Sequence, residues 1–278
     1  MAKAAPPPTA ELIARLKKDL ADLTALTSGG LPTRARNAVD AEIRAVMNEL
    51  GKLLQDIDPV RQPTAVFDPS NPKVIGRFIA LALVAQDRLP LASVEKFYGS
   101  GVYAIYYRGA FPAYAALSGT ETPIYVGQAA PGVSNARTPI EQGTRLADRL
   151  STHRGNILKA VATITIEDFE FRALVVQSGW ETAAEDYLIH LFRPIWNSET
   201  NILYGLGKHG DAAETRGNKR SPWDTLHPGR KWAGAEKLVD AKSPAKIASE
   251  LDEHFKTSRI FASIDEVLKE FIDELRQI

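Results

Sequence analysis

The sequence contains no cysteine. Disulfides, zinc–thiolate sites and a cysteine nucleophile are thereby excluded, and a metal can be held only by oxygen or imidazole, so a hard cation such as magnesium is the natural candidate. Long apolar runs are missing as well: none approaches the roughly 18 residues that span a bilayer. The opening Met1-Ala2-Lys3-Ala4-Ala5-Pro6-Pro7-Pro8 lacks the apolar stretch of a secretory signal. The expected compartment is the cytoplasm, with no membrane partner. Net charge is absent too, since Lys and Arg number 34 and Asp and Glu number 34. Zero net charge neither favours nor excludes nucleic acid, because binding depends on where charges lie.

They lie unevenly. Residues 137–159 carry Arg137, Arg145, Arg149, Arg154 and Lys159 against Glu141 and Asp148. Residues 208–231 carry Lys208, Arg216, Lys219, Arg220, Arg230 and Lys231 against Asp211, Glu214 and Asp224, while acid gathers toward the C-terminus. With 278 residues, 44% of them hydrophobic, the chain can bury a full core.

Apolar periodicity divides it. Leu12, Leu16, Leu20 and Leu23 recur at helical spacing over 9–27, and Gly29-Gly30 supplies a stop. A second helix over about 33–56 puts Val39, Ile43, Val46, Leu50, Leu53 and Ile57 on one stripe, so the pair reads as a helical hairpin. A connection rich in Pro and Asp ends at Asn71-Pro72, an N-cap and first-turn proline. The next helix, with Val74, Ile75, Phe78, Ile79, Leu81 and Leu83, is apolar nearly all round and should lie in the interior.

The middle third changes to aromatic and β-branched residues. Residues 102–108 and 124–129 read as two paired strands, 144–154 as a short helix closed by Gly155, 169–176 as a third strand, and 182–192 as a helix closed by Arg193-Pro194. The Gly-rich, basic stretch over 201–234 has little periodicity and reads as a long functional loop. Ser243-Pro244 opens one more helix, and Ser263 with Glu266 forms a capping box for the last. Three regions are expected: a helical extension over 1–98, a catalytic core over 99–200, and a basic loop with helices over 201–278. The fold class is α+β, a small three-stranded, mainly antiparallel sheet flanked by helices.

Polar residues stand at defined places on the central unit. Tyr103 lies in the first strand within Gly101-Val102-Tyr103, and Tyr125 in the second within Tyr125-Val126-Gly127. Neighbouring antiparallel strands can bring two such hydroxyls together on one face. Arg149 and His153, four residues apart on the short helix, project from one face and can reach one anion together, with Arg145 extending the row. Glu185 sits in an otherwise apolar helix and could bind a hard cation; Asn197 follows Pro194-Ile195-Trp196.

This set resembles the GIY-YIG nuclease superfamily over residues 99–197. The two tyrosine triplets stand for its two signature motifs, Arg149 for the helix arginine, His153 for the residue four further on, Glu185 for the metal-binding glutamate and Asn197 for the asparagine beyond it. The segments 67–72 and 223–230, the second containing His227-Pro228-Gly229-Arg230, are similar to flanks of the type II restriction enzymes of that superfamily. Where several members carry lysine after the second motif, this chain has Gln128. The resemblance implies a magnesium-dependent endonuclease with one divalent cation per active site. It implies cleavage of double-stranded DNA at a GC-rich palindrome such as CCGCGG, by a homodimer. Tyr103 would activate water with help from Arg149, His153 or Tyr125, and Asn197 would position Glu185 or a phosphate. Arg145, Arg154, Lys159, Arg216, Lys219, Arg220, Arg230 and Lys231 are the expected DNA contacts. A homing or repair nuclease of the same fold, or a DNA-binding module without catalysis, are the competing readings.

Overall fold

The computed structural model describes residues 8–29, 33–57, 60, 67–160, 162–177, 179–207, 219–235 and 238–276. The chain divides into two compact units, 1–64 and 65–278. The first contains the two expected helices, α1 (Pro8–Thr27) and α2 (Thr33–Ile57). No residue of α1 is buried.

The second unit starts on α3 (Pro72–Val84), where the Asn71 side chain accepts the backbone N–H of Lys73 at 3.0 Å and proline opens the first turn. The helix is not interior all round as its composition suggests. Val74, Gly76, Ala80, Leu83 and Val84 are buried, but Phe78 is 47% exposed, because only one side faces the sheet and the helix over Glu181–Phe192.

The sheet has four strands, β1 (Leu89–Pro90), β2 (Gly101–Tyr107), β3 (Tyr125–Ala129) and β4 (Phe169–Val175), in the order β1-β4-β2-β3. Every pairing is antiparallel. The expected α+β sheet gains only the two-residue β1 at its edge. All seven residues of the central β2 are buried, which is why its sequence is apolar on both faces rather than alternating. Tyr103, Ile105 and Tyr107 face one cluster with Leu146, Leu150 and Ile157 of α5 (Arg145–Ile157) and with Trp196 and Trp223. Val102, Ala104 and Tyr106 face the other, with Leu83 of α3, Ala184 and Leu188 of α6 (Glu181–Phe192), and Phe271.

Helix α5 runs through Gly155 instead of ending there. The fully buried Ile157 belongs to its last turn, and burying that side chain outweighs the weak helix propensity of one glycine. A short α4 (Pro139–Gln142) sits in the loop before it. Beyond residue 200, the expected long loop contains an ordered knot. Ser221 caps α7 (Pro222–Leu226), a 3-10 turn spans Lys231–Gly234, and Arg220 bridges Asp240. The last helices are α8 (Pro244–Thr257) and α9 (Ile264–Leu275), the latter capped by Ser263 and Glu266 as expected. Among the described residues, no helix is long and apolar enough to cross a membrane.

Candidate active site

The pairing register explains why the two tyrosine triplets look as they do. Tyr103 stands opposite Gly127, and Tyr125, two residues before Gly127, lies on the same face. A Cβ on Gly127 would come within 2.5 Å of the Tyr103 hydroxyl, so the glycine lets the phenol cross β3. Gly101 has φ of 150° and its absent Cβ would strike the Leu174 carbonyl, so it sets the close start of β2 against β4.

From α5, His153 rises into the same space. Its Nε2 lies 2.7 Å from the Tyr103 hydroxyl, and the Tyr125 ring is 4.8 Å from the imidazole and 6.1 Å from the Tyr103 ring. Tyr103 and His153 are fully buried, whereas Tyr125 is partly exposed. Of the two tyrosines it is therefore Tyr125 that reaches solvent, with Tyr103 behind it. Burial, then the nearby Tyr125, pushes the Tyr103 phenol well above its ordinary value, with Arg149 pulling the other way. Burial also raises Tyr125, again opposed by Arg149. The imidazole is pushed down to about 3 by burial and then by Arg149, so it is neutral at pH 7. Its Nδ1 is buried without a hydrogen-bond partner. Arg149 itself is exposed and makes no hydrogen bond or ion pair among the described residues.

Glu185 comes from α6. Its carboxyl is pushed up to about 6, chiefly by desolvation, against hydrogen bonds from Gln128 and with repulsion from Glu199 and Asp186. Gln128 is thus the neighbour of the glutamate, and its amide also meets the Thr182 hydroxyl at 3.2 Å. Gln128 stands out in the sequence only as a departure from the family's lysine, and Thr182 and Glu199 do not stand out at all; the placement of β3 beside α6 is what brings Gln128 and Thr182 together. Among the described residues no group of three His, Asp or Glu is placed to hold a metal. A desolvated carboxylate with amide and hydroxyl oxygens beside it fits a hard, largely hydrated cation with one protein carboxylate, not a closed protein cage.

Asn197 acts elsewhere than expected. Its Oδ1 accepts the Val126 N–H at 3.0 Å and its Nδ2 donates to the Val126 carbonyl at 2.8 Å. β3 is the edge strand, and the amide answers its outward backbone groups as a further strand would. With both ends of its amide engaged on the Tyr125-Val126-Gly127 motif, Asn197 holds the strand, and among the described residues it makes no hydrogen bond to Glu185.

The family model for the Eco29kI GIY-YIG domain matches residues 95–255. The chain belongs to this GIY-YIG family of restriction endonucleases. No curated protein matches it. The tyrosines, Arg149, His153, Glu185 and Asn197 all fall inside the matched GIY-YIG region, which is a nuclease domain and has DNA as its substrate.

The expected DNA contacts separate into two groups within this GIY-YIG chain. Arg145, Lys159, Lys219 and Lys231 are exposed, Arg145 with its Nε on the Ala130 carbonyl at 3.1 Å. Arg154 is half-buried. Arg230 is 3% exposed, with Nε 2.6 Å and Nη2 2.7 Å from the two Asp224 oxygens and further bonds to the Leu206 and Gly205 carbonyls. Arg220 pairs with Asp240 at 2.6 Å and donates to the Ala233 carbonyl. Both guanidinium groups are paired within the knot, Arg230 almost wholly buried and Arg220 with its side chain 25% exposed. Arg216 lies outside the described residues.

Proposed function

We propose that the protein is a type II restriction endonuclease that hydrolyses double-stranded DNA at a palindromic, GC-rich site, for which the family resemblance suggests CCGCGG. The observation that carries this reading is the chain Tyr125, Tyr103, His153 beside an unengaged Arg149 and a desolvated Glu185.

Each residue has a task that its surroundings support. Arg149, exposed and without a partner, is free to donate to non-bridging phosphate oxygens. The water meets the Tyr125 hydroxyl. The water's proton passes to the Tyr125 oxygen as the Tyr125 hydroxyl proton moves to Tyr103 and that of Tyr103 to Nε2 of the neutral His153, so that one proton is relayed along the chain. Glu185 and Gln128 would hold one magnesium ion per active site, which when bound supplies charge to polarise the phosphate and stabilise the leaving oxygen. Asn197 keeps the second motif in register. A twofold site calls for a twofold protein, so the active form is a homodimer in the cytoplasm. Arg145, Arg154, Lys159, Lys219 and Lys231 supply backbone contacts, and the segment carrying Arg216 takes part in reading bases. The regions 1–98, 99–200 and 201–278 serve association, chemistry and recognition respectively.

The test is to incubate purified protein with a fully sequenced plasmid and magnesium and to map the ends. Discrete cuts at one palindrome are expected, lost in excess chelator. Random nicking would leave a nuclease but remove the restriction reading, and no cutting in magnesium or manganese would remove both.

A further inference from the structure

The first unit cannot be held together by its own burial. Thirteen large apolar side chains on α1 and α2 are between 37% and 80% exposed. On α2 they follow a heptad seam, with Val39, Ile43, Val46, Leu50, Leu53 and Ile57 spaced alternately four and three apart, and Met47 and Leu54 widen it on one side. On α1, Ile13, Leu16, Leu20 and Leu23 repeat at three, four and three, flanked by Leu12 and Leu26. Two helices that only faced each other would need the narrow seam alone. The widened stripes are what a helix needs to touch two neighbours at once. Leu16, Leu20 and Leu23 on one side and Ile43, Val46 and Leu50 on the other form the walls of a single apolar groove.

We propose that this groove is filled by the same hairpin of a second copy, so that α1 and α2 of two chains form a four-helix bundle. The exposed apolar surface amounts to on the order of 1,000 Å² per copy, matching the ~800 Å² that each partner gives to a standard interface. Residues 8–57 contain seven acidic and seven basic side chains, so two copies meet without net repulsion, and nothing basic marks the pair for an anionic lipid surface. Among the described residues of the second unit, the exposed large apolar side chains fall on separate elements with at most two on any one, so no comparable apolar stripe is present there. The bundle names the surface of the homodimer proposed above, and it rests on that association but not on the chemistry.

The decisive measurement is sedimentation of the full chain without DNA, so its failure leaves the nuclease reading standing. Wild type should be a dimer at micromolar concentration. Leu20→Glu and Val46→Glu should each weaken association by at least about a hundredfold, and Leu20→Ala and Val46→Ala by less, while the thermal transition of the second unit is unchanged. Hydrogen exchange should be slowed along α1 and α2 in the dimer and fast in the glutamate variants. A monomeric wild type, including one whose α1 and α2 amides are protected by packing on their own chain, would overturn the proposal. So would glutamate variants that stay dimeric.

Discussion

Two regions of the molecule use the same three side-chain types to opposite ends. In the cleft, Tyr103 meets His153 Nε2 and Arg149 is close enough for its charge to act on both; in the knot, Tyr114 meets His227 Nε2 and Arg230 lies nearby. Both histidines are fully buried and both are pushed down to about 3, chiefly by burial. The difference is in what is left unanswered. His227 has the Thr163 hydroxyl 2.7 Å from Nδ1, Tyr114 accepts the Trp196 N–H at 2.9 Å, and Arg230 is bound on Asp224 and two carbonyls. In the cleft, His153 Nδ1 has no hydrogen-bond partner and Arg149 has neither hydrogen bond nor ion pair among the described residues. The knot has an unpartnered buried atom of its own, Trp223 Nε1, and such a group costs stability wherever it lies. Neither residue identity nor one unfilled valence separates a reactive constellation from a scaffold; the exposed, unpaired guanidinium beside the histidine does.

The sharpest way to break this comparison is to remove the cleft's carboxylate, Glu185, which unlike Asp224 in the knot has no ion pair among the described residues. Glu185→Ala should lower the single-turnover cleavage rate by a factor of about a thousand or more, with DNA affinity nearly unchanged, because the group serves the transition state more than the ground state. Stability should rise slightly, if it moves at all, since a desolvated carboxyl is being deleted. Cleavage within tenfold of wild type would place the essential charge elsewhere.

Next come the two arginines. Arg230→Ala leaves Asp224 buried and unpaired, which should cost about 3 to 5 kcal/mol in urea unfolding. Arg149→Ala should cost under about 0.5 kcal/mol and yet slow cleavage at least about a hundredfold. A reversal of the two patterns would exchange the roles assigned to cleft and knot.

The tyrosines should separate less widely. Tyr103→Phe is expected to slow cleavage about a hundredfold, while Tyr114→Phe, by stranding His227 Nε2 and the Trp196 N–H, should cost about 1 to 3 kcal/mol of stability. Tyr103→Phe also costs some stability, since His153 then has no hydrogen-bond partner on either nitrogen among the described residues, so rates are compared per folded molecule.

These contrasts also show why some of the molecule was readable beforehand and some was not. The strands, the tyrosine triplets and the Arg149–His153 spacing were legible because period two and period four are written directly in the chain. Arg220 and Arg230 were not. Charge on a Gly-rich stretch looks like a groove-binding loop until its counter-ions are known, although Ser221-Pro222 followed by Asp224 is a helix-opening pattern that announces local order. Gly155 was misleading because propensity yields to the burial of Ile157. Gln128 beside Glu185, and Asn197 on Val126, are long-range pairings set by the sheet edge, and no local pattern encodes them.

The smallest expected effect concerns what the two histidines share. Burial holds both imidazoles down at about 3, below the ordinary value of 6.5, so between those limits the unfolded chain binds protons that the folded chain refuses. Stability from this source is therefore complete above pH 6.5 and is lost as pH falls, at about 1.4 kcal/mol per pH unit for each imidazole. His254, lowered by burial, adds in the same direction. Glu185 works the other way: raised from 4.5 to about 6, it favours the folded state as pH falls through that interval and offsets part of one histidine. The cleanest window is thus just above pH 6, where the imidazoles act alone. Urea midpoints should fall from pH 7.5 to pH 5.5, and His227→Gln, though less stable at pH 7.5, should show a shallower fall. A midpoint independent of pH in wild type would mean that both imidazoles accept a proton while the fold persists, and the shared burial on which the comparison rests would be lost.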